Sequence, residues 1–337
     1  MALEVPASPS DAGPGPAMPT VAAGALGSQT DAATPPAAAR VKATRVVSAH
    51  VSVWRRLADI WASRELLVYL VRTEVRVKYK NSVLGLVWSM ISPAMTLAIF
   101  YLVFQVILKN GIPNFVIFLF SGLLLWNFFQ MGVQSGTGVV VANAGIVKKV
   151  SFPREILALA AVGSSSVFLF FQAIVMVLFM AVLHSAPEWR LIPLAVVALL
   201  ATAVFASALA VFLSAVNVYL RDTQHLVEVL LTAWFWACPV VYSFQRTVSA
   251  QLHARGITWL YLLNPMTPLV MTFQRVLYNK PVAYTTTPDH TLTRFLPTWP
   301  ATTYLWADGL VLAVALVLFV AALAVFGRLQ GNFAEEL

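Results

Sequence analysis

Residues 156–183 read ILALAAVGSSSVFLFFQAIVMVLFMAVL, an apolar run without one charged side chain. An α-helix rises 1.5 Å per residue, so crossing the roughly 30 Å hydrocarbon layer of a bilayer takes about 20 such residues. This run exceeds that length, and hydrocarbon admits only structures that satisfy their own backbone polar groups. The run therefore reads as a transmembrane helix. Blocks of the same kind flank it at 83–108, 115–141, 191–216, 226–244 and 303–326. Pro93 interrupts the first and is expected to kink it. The fold class that follows is all-α: a polytopic membrane protein of six transmembrane helices. Its six-span membrane domain covers 83–327, and a short cytoplasmic C-terminal segment is expected at 328–337.

Composition agrees with this reading. Of 337 residues, 59% are hydrophobic and 11% charged, against roughly 45–50% and 25% in soluble domains. A surface of 14 acids and 22 bases cannot cover a soluble chain of this size, which excludes a soluble enzyme. The net charge of +8 fits bases gathered beside anionic headgroups and implies no nucleic-acid partner. The single cysteine, Cys238, lies in an apolar block, so the chain can form no internal disulfide. The histidines are scattered without metal-ligand spacing, and no metal site is expected.

Outside the spans the character changes. Residues 1–50 are rich in Ala, Pro, Gly, Ser and Thr and read as a disordered cytoplasmic tail. In 51–82, apolar Leu57, Ile60, Trp61, Val68, Val71 and Val75 recur at helical spacing opposite a row of arginines. This is the pattern of an amphipathic helix lying in the membrane interface. Arg55–Asp59 and Glu74–Lys78 are spaced as i,i+4 pairs. Residues 246–302 read as an external loop. Its uncharged stretch 257–274, broken by Pro265 and Pro268, is expected to dip back as a re-entrant hairpin. Bases near span ends favour the face holding Arg64, Arg72, Arg76, Lys78, Lys80, Lys148, Lys149, Arg154, Arg221 and Arg328 over that holding Lys109, Arg190, Arg246, Arg255 and Arg294. Both termini are therefore expected inside.

Two absences constrain mechanism. No G-x-x-x-x-G-K-[ST] occurs, so no Walker loop cradles ATP in this chain. The acids Asp222, Glu228 and Asp308 all sit at span ends, whereas ion-coupled carriers usually place an acid deep within a span. The energy source is expected on another polypeptide.

The segment 141–155, VANAGIVKKVSFPRE, connects two spans. Asn143 is placed to cap a short helix that Lys148 and Lys149 end and Pro153 stops. Such a helix, offering Ile146, Val147 and Val150 beside cations, suits a partner's cleft; an ordinary positive-inside connector has the same composition. The segments RTEVRVKYKNSVLGLVWSMISP, LLWNFF, ANAGIVKKVSFPREIL, LSAVNVYLRDTQHLV, ACPVVY and LNPMTP resemble the membrane subunits of type-2 ABC exporters, and within them the Wzm-type permeases that export lipid-linked polysaccharides. The likeness runs in order from about Leu57 to Leu337. It implies that 141–150 is a coupling helix docked on a separate ATPase subunit. The coupling contacts would include Asn143, Ile146, Val147, Lys148, Lys149, Phe152, Pro153, Arg154 and Glu155, with a second contact at Asn217, Arg221 and Asp222. Where the family has NVRYRD this chain has Asn217-Val218-Tyr219-Leu220-Arg221-Asp222, one base fewer. The likeness also implies a second copy of the chain facing the first, two ATPase subunits that hold ATP and Mg, no cofactor and no covalent chemistry here, and a bacterial inner membrane.

Two further groups are candidates. Arg72, Arg76, Lys78, Tyr79 and Lys80 stand where a polyprenyl-pyrophosphate headgroup would lie, and arginine binds phosphate bidentately; headgroup snorkelling is the plainer reading. Trp126, Phe128, Phe129, Trp234, Phe235, Trp236 and Tyr242 offer faces on which sugar C–H groups of an O-antigen or galactan chain would slide, while interfacial belts use the same residues. The alternative functions are a type-2 permease for a drug or small lipid, and a polyprenyl-dependent glycosyltransferase. The latter needs catalytic carboxylates outside, and the long loop supplies only Asp289.

Overall fold

In a computed structural model of the chain, the described residues are 53–79, 88–249, 256–286 and 288–337. The expected tail 1–50, Lys80 and the opening of the first span at 83–87 lie outside them. The amphipathic stretch forms two helices, α1 (Val53–Ala62) and α2 (Arg64–Tyr79), broken at Ser63. Leu57, Ile60 and Leu70 turn inward against the core, and Trp54 and Trp61 are exposed. α1 touches the last long helix and α2 lies along the third long block. α3 (Trp88–Phe100) runs through Pro93 and widens into π-helix from Tyr101 to Ile107. The wider turn is seen directly in the Leu108 N–H, which donates to Val103 O five residues back at 2.9 Å.

Among the described residues, four helices are long and apolar enough to cross a membrane: α4 (Phe115–Ala142), α6 (Glu155–Val182), α7 (Ile192–Tyr219, entered through a 3-10 turn at Trp189–Leu191) and α11 (Ala301–Leu329). Between α4 and α6 sits the short α5 (Ala144–Lys149). α8 (Thr223–Trp236) has 14 residues, shorter than the block 226–244 that the sequence suggests. The reason is Pro239, which drives the residue before it out of the helical region. The opened backbone is repaired from elsewhere: Gln274 Nε2 donates to Pro239 O at 2.9 Å and to Val240 O at 3.3 Å.

The long loop is more structured than an all-α reading allows. After α9 (Thr258–Leu262) and α10 (Met266–Leu277) comes an antiparallel hairpin, β1 (Val282–Tyr284) with β2 (Leu292–Arg294), register Ala283 opposite Thr293. The 12 residues of α10 rise about 18 Å, less than a crossing. Its side chains from Met266 to Gln274 are all buried, and Tyr278 beyond it donates to Pro113 O at 2.8 Å. The chain closes with a 3-10 turn, Gln330–Asn332, and α12 (Phe333–Glu336).

α4 is the mast around which the rest packs, touching α6, α7, α8 and α10. Lipid is as apolar as leucine, so association of helices depends on close fit rather than on expulsion of water. Gly136 on α4 supplies it: a β-carbon there would stand 2.5 Å from Ala210 Cβ of α7, whereas one at Gly132 would make only ordinary contacts of 3.5–3.7 Å with Val162 and Ala206.

Candidate functional site

The candidate coupling residues gather at the end of the bundle that carries α5. Asn143 stands at the N-cap of this helix, as the sequence suggests, but its side chain makes no capping bond. Its Nδ2 donates to Val139 O at 2.8 Å and closes α4, while its backbone oxygen accepts from the Ile146 and Val147 amides. α5 is thus hung directly from α4. Its faces divide cleanly: Val147 is buried, 2% exposed, and Ile146, Lys148, Lys149 and Val150 face outward. An apolar pair beside two ammonium groups is left uncovered on one small knob.

The residues after the knob hold this end of the molecule together. Glu155, in the first turn of α6, accepts from Arg56 of α1 at 2.6 Å, and the two side chains are 3% and 10% exposed. The Arg56 guanidinium lies directly against Gly327 of α11, where any side chain would displace it. The Gln330 amide lies against the same group; with its oxygen toward Arg56 it accepts from Nη1 and Nη2 at 2.8 and 3.1 Å. Arg154 donates to Gln330 O at 2.9 Å and covers the Phe333 ring at 5.8 Å. Tyr219, at the end of α7, donates to Leu329 O at 2.7 Å and meets Phe333 edge-on. Phe152 and Pro153 line the small cavity of about 210 Å³ between these groups. Sequence reading counted Arg154 and Glu155 with the knob. The structure brings them instead to a clamp joining α1, α6, α7 and the chain's last residues. Arg56, Tyr219, Gly327, Gln330 and Phe333 complete this clamp. Asn217 is buried next to it, with Oδ1 unpartnered among the described residues, and Arg221 and Asp222 are exposed on the α7–α8 turn.

The basic cluster of α2 separates into two directions. Arg72 and Arg76 are exposed. Lys78 reaches toward α6, its Nζ 4.2 Å above the Phe168 ring, and borders a cleft of about 350 Å³ between α2, α4 and α6. Glu74 lies in the same cleft. Burial raises the Glu74 carboxyl above its ordinary value, more than the nearby Ser164 hydroxyl and Lys78 ammonium lower it. Burial likewise lowers Lys78, against the pull of Glu74. The side chain of Tyr79 and all of Lys80 lie outside the described residues.

Trp126, Phe129, Trp234, Phe235 and Trp236 form one packed ladder with Phe205. Phe129 stacks on Phe205 at 5.5 Å and 4°, Trp234 stands edge-on to both, and Trp126 links Phe129 to Phe235 at 5.6 and 5.7 Å. Phe235 meets Trp236 at 5.4 Å. Trp126, Phe128 and Phe129 are enclosed, whereas Trp236 is half exposed at the ladder's edge. Trp234 Nε1 donates to Asn264 Oδ1 at 2.8 Å, and Tyr242 shares a 2.8 Å hydrogen bond with Tyr261. Near the other end, Asp308 keeps its expected place close to the start of α11 but is fully buried. It accepts from Thr272 Oγ1 at 3.1 Å, and its Oδ2 has no partner among the described residues.

Long apolar helices packed through small residues, with a structured and partly uncovered loop at one end, define a multi-pass membrane protein. Residues 65–278 match the family described as ABC-2 type transporter, and the chain belongs to that family. It is a transport subunit rather than an enzyme. It is 32% identical over 284 residues, 84% of this chain and 99% of the relative, to the O-antigen export system permease protein RfbA of Myxococcus xanthus. It is 25% identical over 277 residues, 81% of this chain and 95% of the relative, to a protein of the same name from Klebsiella pneumoniae.

Proposed function

We propose that this chain is the channel-forming subunit of an ATP-driven exporter that moves a polyprenyl-pyrophosphate-linked polysaccharide, of O-antigen or galactan type, outward across a bacterial inner membrane. It crosses six times, α3 with its π-helical continuation to Ile107 and α8 with the chain that follows to Phe244 completing the four long helices, α9 and α10 re-entering from outside, and both termini in the cytoplasm. A second copy faces it, and two separate ATPase subunits carry ATP and Mg. The observation that supports the reading best is likeness to O-antigen export permeases along almost the whole length of those relatives.

The exposed part of α5, Ile146 and Val150 with Lys148 and Lys149, is the docking knob for the ATPase subunit, and Arg221 and Asp222 add a second contact. Movement of the knob reaches α4 through Asn143 and reaches α1, α6 and α11 through the Glu155–Arg56 clamp. Closure of the ATPase pair on ATP is thereby converted into helix displacement at the channel. Arg72 and Arg76, with Tyr79 and Lys80 beyond them, receive the lipid pyrophosphate laterally. Trp236 gives the glycan a stacking face, backed by Phe235, Trp126 and Trp234. The test is reconstitution of the chain with an ABC ATPase subunit of the same organism and a lipid-linked glycan on the outer leaflet of inverted vesicles. Glycan appears in the lumen only with both proteins and hydrolysable ATP. Uphill solute flux driven by the chain alone on an ion gradient overturns the proposal.

A further inference from the structure

The cleft between α2, α4 and α6 has a chemistry that the exporter reading does not use. Its volume of about 350 Å³ falls within the range of small-molecule sites, about 300–1,000 Å³. Glu74 and Lys78 stand one helical turn apart at its α2 wall, spaced as an ion pair, yet the Lys78 ammonium sits over Phe168 instead of closing a salt bridge on Glu74. Among the described residues neither charge closes a salt bridge, and Glu74 and Lys78 act on each other only across the gap between them. Burial pushes both groups toward their neutral forms, more than their attraction for each other holds them charged.

The remaining polar lining is biased toward acceptors. Ser165 donates its single hydroxyl proton to Ala161 O at 3.0 Å, and Ser164 divides its own between Ala161 O at 2.8 Å and the Glu74 carboxyl. Each then presents only lone pairs to other groups. Asn143 has one amide proton committed to Val139 O, at 2.8 Å. A carboxylate and two hydroxyl acceptors on one side, with one ammonium on the other, fit a zwitterion whose cation carries several N–H donors. A pyrophosphate fits poorly: Glu74 repels it and Lys78 alone opposes its charge. A quaternary ammonium fits poorly as well, having no N–H to give the acceptors. Leu70, Val77 and Phe168 supply apolar wall beside the polar groups, and Val68, Tyr69 and Val77 are exposed on α2, as on a helix lying in a lipid interface.

We propose that this cleft is a binding site for an ethanolamine phospholipid of the surrounding membrane, the lipid ammonium on Glu74 among the serine hydroxyls and the lipid phosphate on Lys78. The bound lipid fastens α2 to α4 and α6, and it is distinct from the cargo that Arg72 and Arg76 receive.

The full-length chain, reconstituted in vesicles of equal parts phosphatidylethanolamine, phosphatidylcholine and phosphatidylglycerol and then released in mild detergent, is weighed with its bound lipid by native mass spectrometry. Phosphatidylethanolamine is retained about tenfold over phosphatidylcholine, the value of one charge-assisted hydrogen bond. Glu74→Gln and Lys78→Gln each remove that preference, and Glu65→Gln, on α2 but away from the cleft, keeps it. The wild-type comparison does not depend on any variant folding. Equal retention of the choline lipid, a preference that survives both cleft variants, or displacement of the ethanolamine lipid by an equimolar polyprenyl pyrophosphate each overturns the assignment.

Discussion

The clamp between α1 and α6 makes a prediction whose size follows from its geometry. Glu155→Ala leaves the Arg56 guanidinium enclosed against Gly327 without its carboxylate 2.6 Å away. Removing one partner of a buried ion pair costs about 3–5 kcal/mol, because a desolvated charge remains. The long helices do not depend on this pair, so the loss falls on the docking of α1 and of the last residues. It raises the opening equilibrium of that end by roughly a hundred- to several-thousand-fold. Hydrogen exchange in detergent reads this directly: amides of α1 and of residues 327–337 exchange faster by that factor, and those in the middle of α4 do not change. Arg56→Met with Glu155→Leu restores protection to near the wild-type level, since an apolar pair of similar volume carries no desolvation penalty. Unchanged exchange in Glu155→Ala would refute the reasoning, and so would a double variant as open as the single one.

Other substitutions test the knob, the mast and the cleft. Ile146→Asp with Val150→Asp changes only exposed positions; the chain stays folded by circular dichroism but no longer co-purifies with its ATPase subunit, whereas Val147→Asp buries a charge and unfolds the α5 loop. Gly136→Ala pushes α4 from α7 and costs about 1–3 kcal/mol of overpacking, seen as a lower midpoint of thermal unfolding. Glu74 has a raised pKa, so the folded state binds its proton more tightly than the unfolded state. Its contribution is fully present below the ordinary carboxyl range and is lost as pH rises through the raised value. Between pH 7 and about 5 the melting temperature of the wild type therefore rises relative to that of Glu74→Gln; parallel curves would count against a half-buried carboxyl at this place.

The long spans were legible because a bilayer imposes a length, and 115–141, 156–183, 191–216 and 303–326 return as α4, α6, α7 and α11 within a few residues. The block 226–244 was read too long because hydropathy does not register what Pro239 does to the backbone, nor that Gln274 would repair it. The hairpin at 282–294 escaped because strands of three residues leave no periodicity in a long polar loop. In the functional region, the exposed half of α5 could be read from its composition. The clamp could not: Arg56 and Glu155 are 99 residues apart, and each has an ordinary local explanation as an interfacial base or a helix-start acid. The one usable sign was that Phe152–Glu155 continues the recognisable motif beyond the helix it would merely terminate. Spacing pairs Glu74 with Lys78, and the two do act on each other, but spacing does not show that the ammonium settles over the Phe168 ring of another helix.

The arrangement of the knob and clamp bears on how force would enter the bundle. A loop that merely touched an ATPase could be displaced without moving the helices, because six residues of helix on flexible joints absorb motion. Here neither joint is free. On one side Asn143 ties the knob to the last turn of α4, and α4 is packed against four other helices along its length. On the other side the chain passes into Arg154 and Glu155, whose bonds reach Gln330 and Arg56, so α1 and the end of α11 move with the start of α6. Gly327 allows the arginine to approach the helix backbone closely enough for this, and Tyr219 extends the same contact to α7. A push on Ile146 and Val150 is then delivered to the ends of four long helices together. Packed elements of this kind shift as units rather than bending, which is the property a gate driven from one end requires.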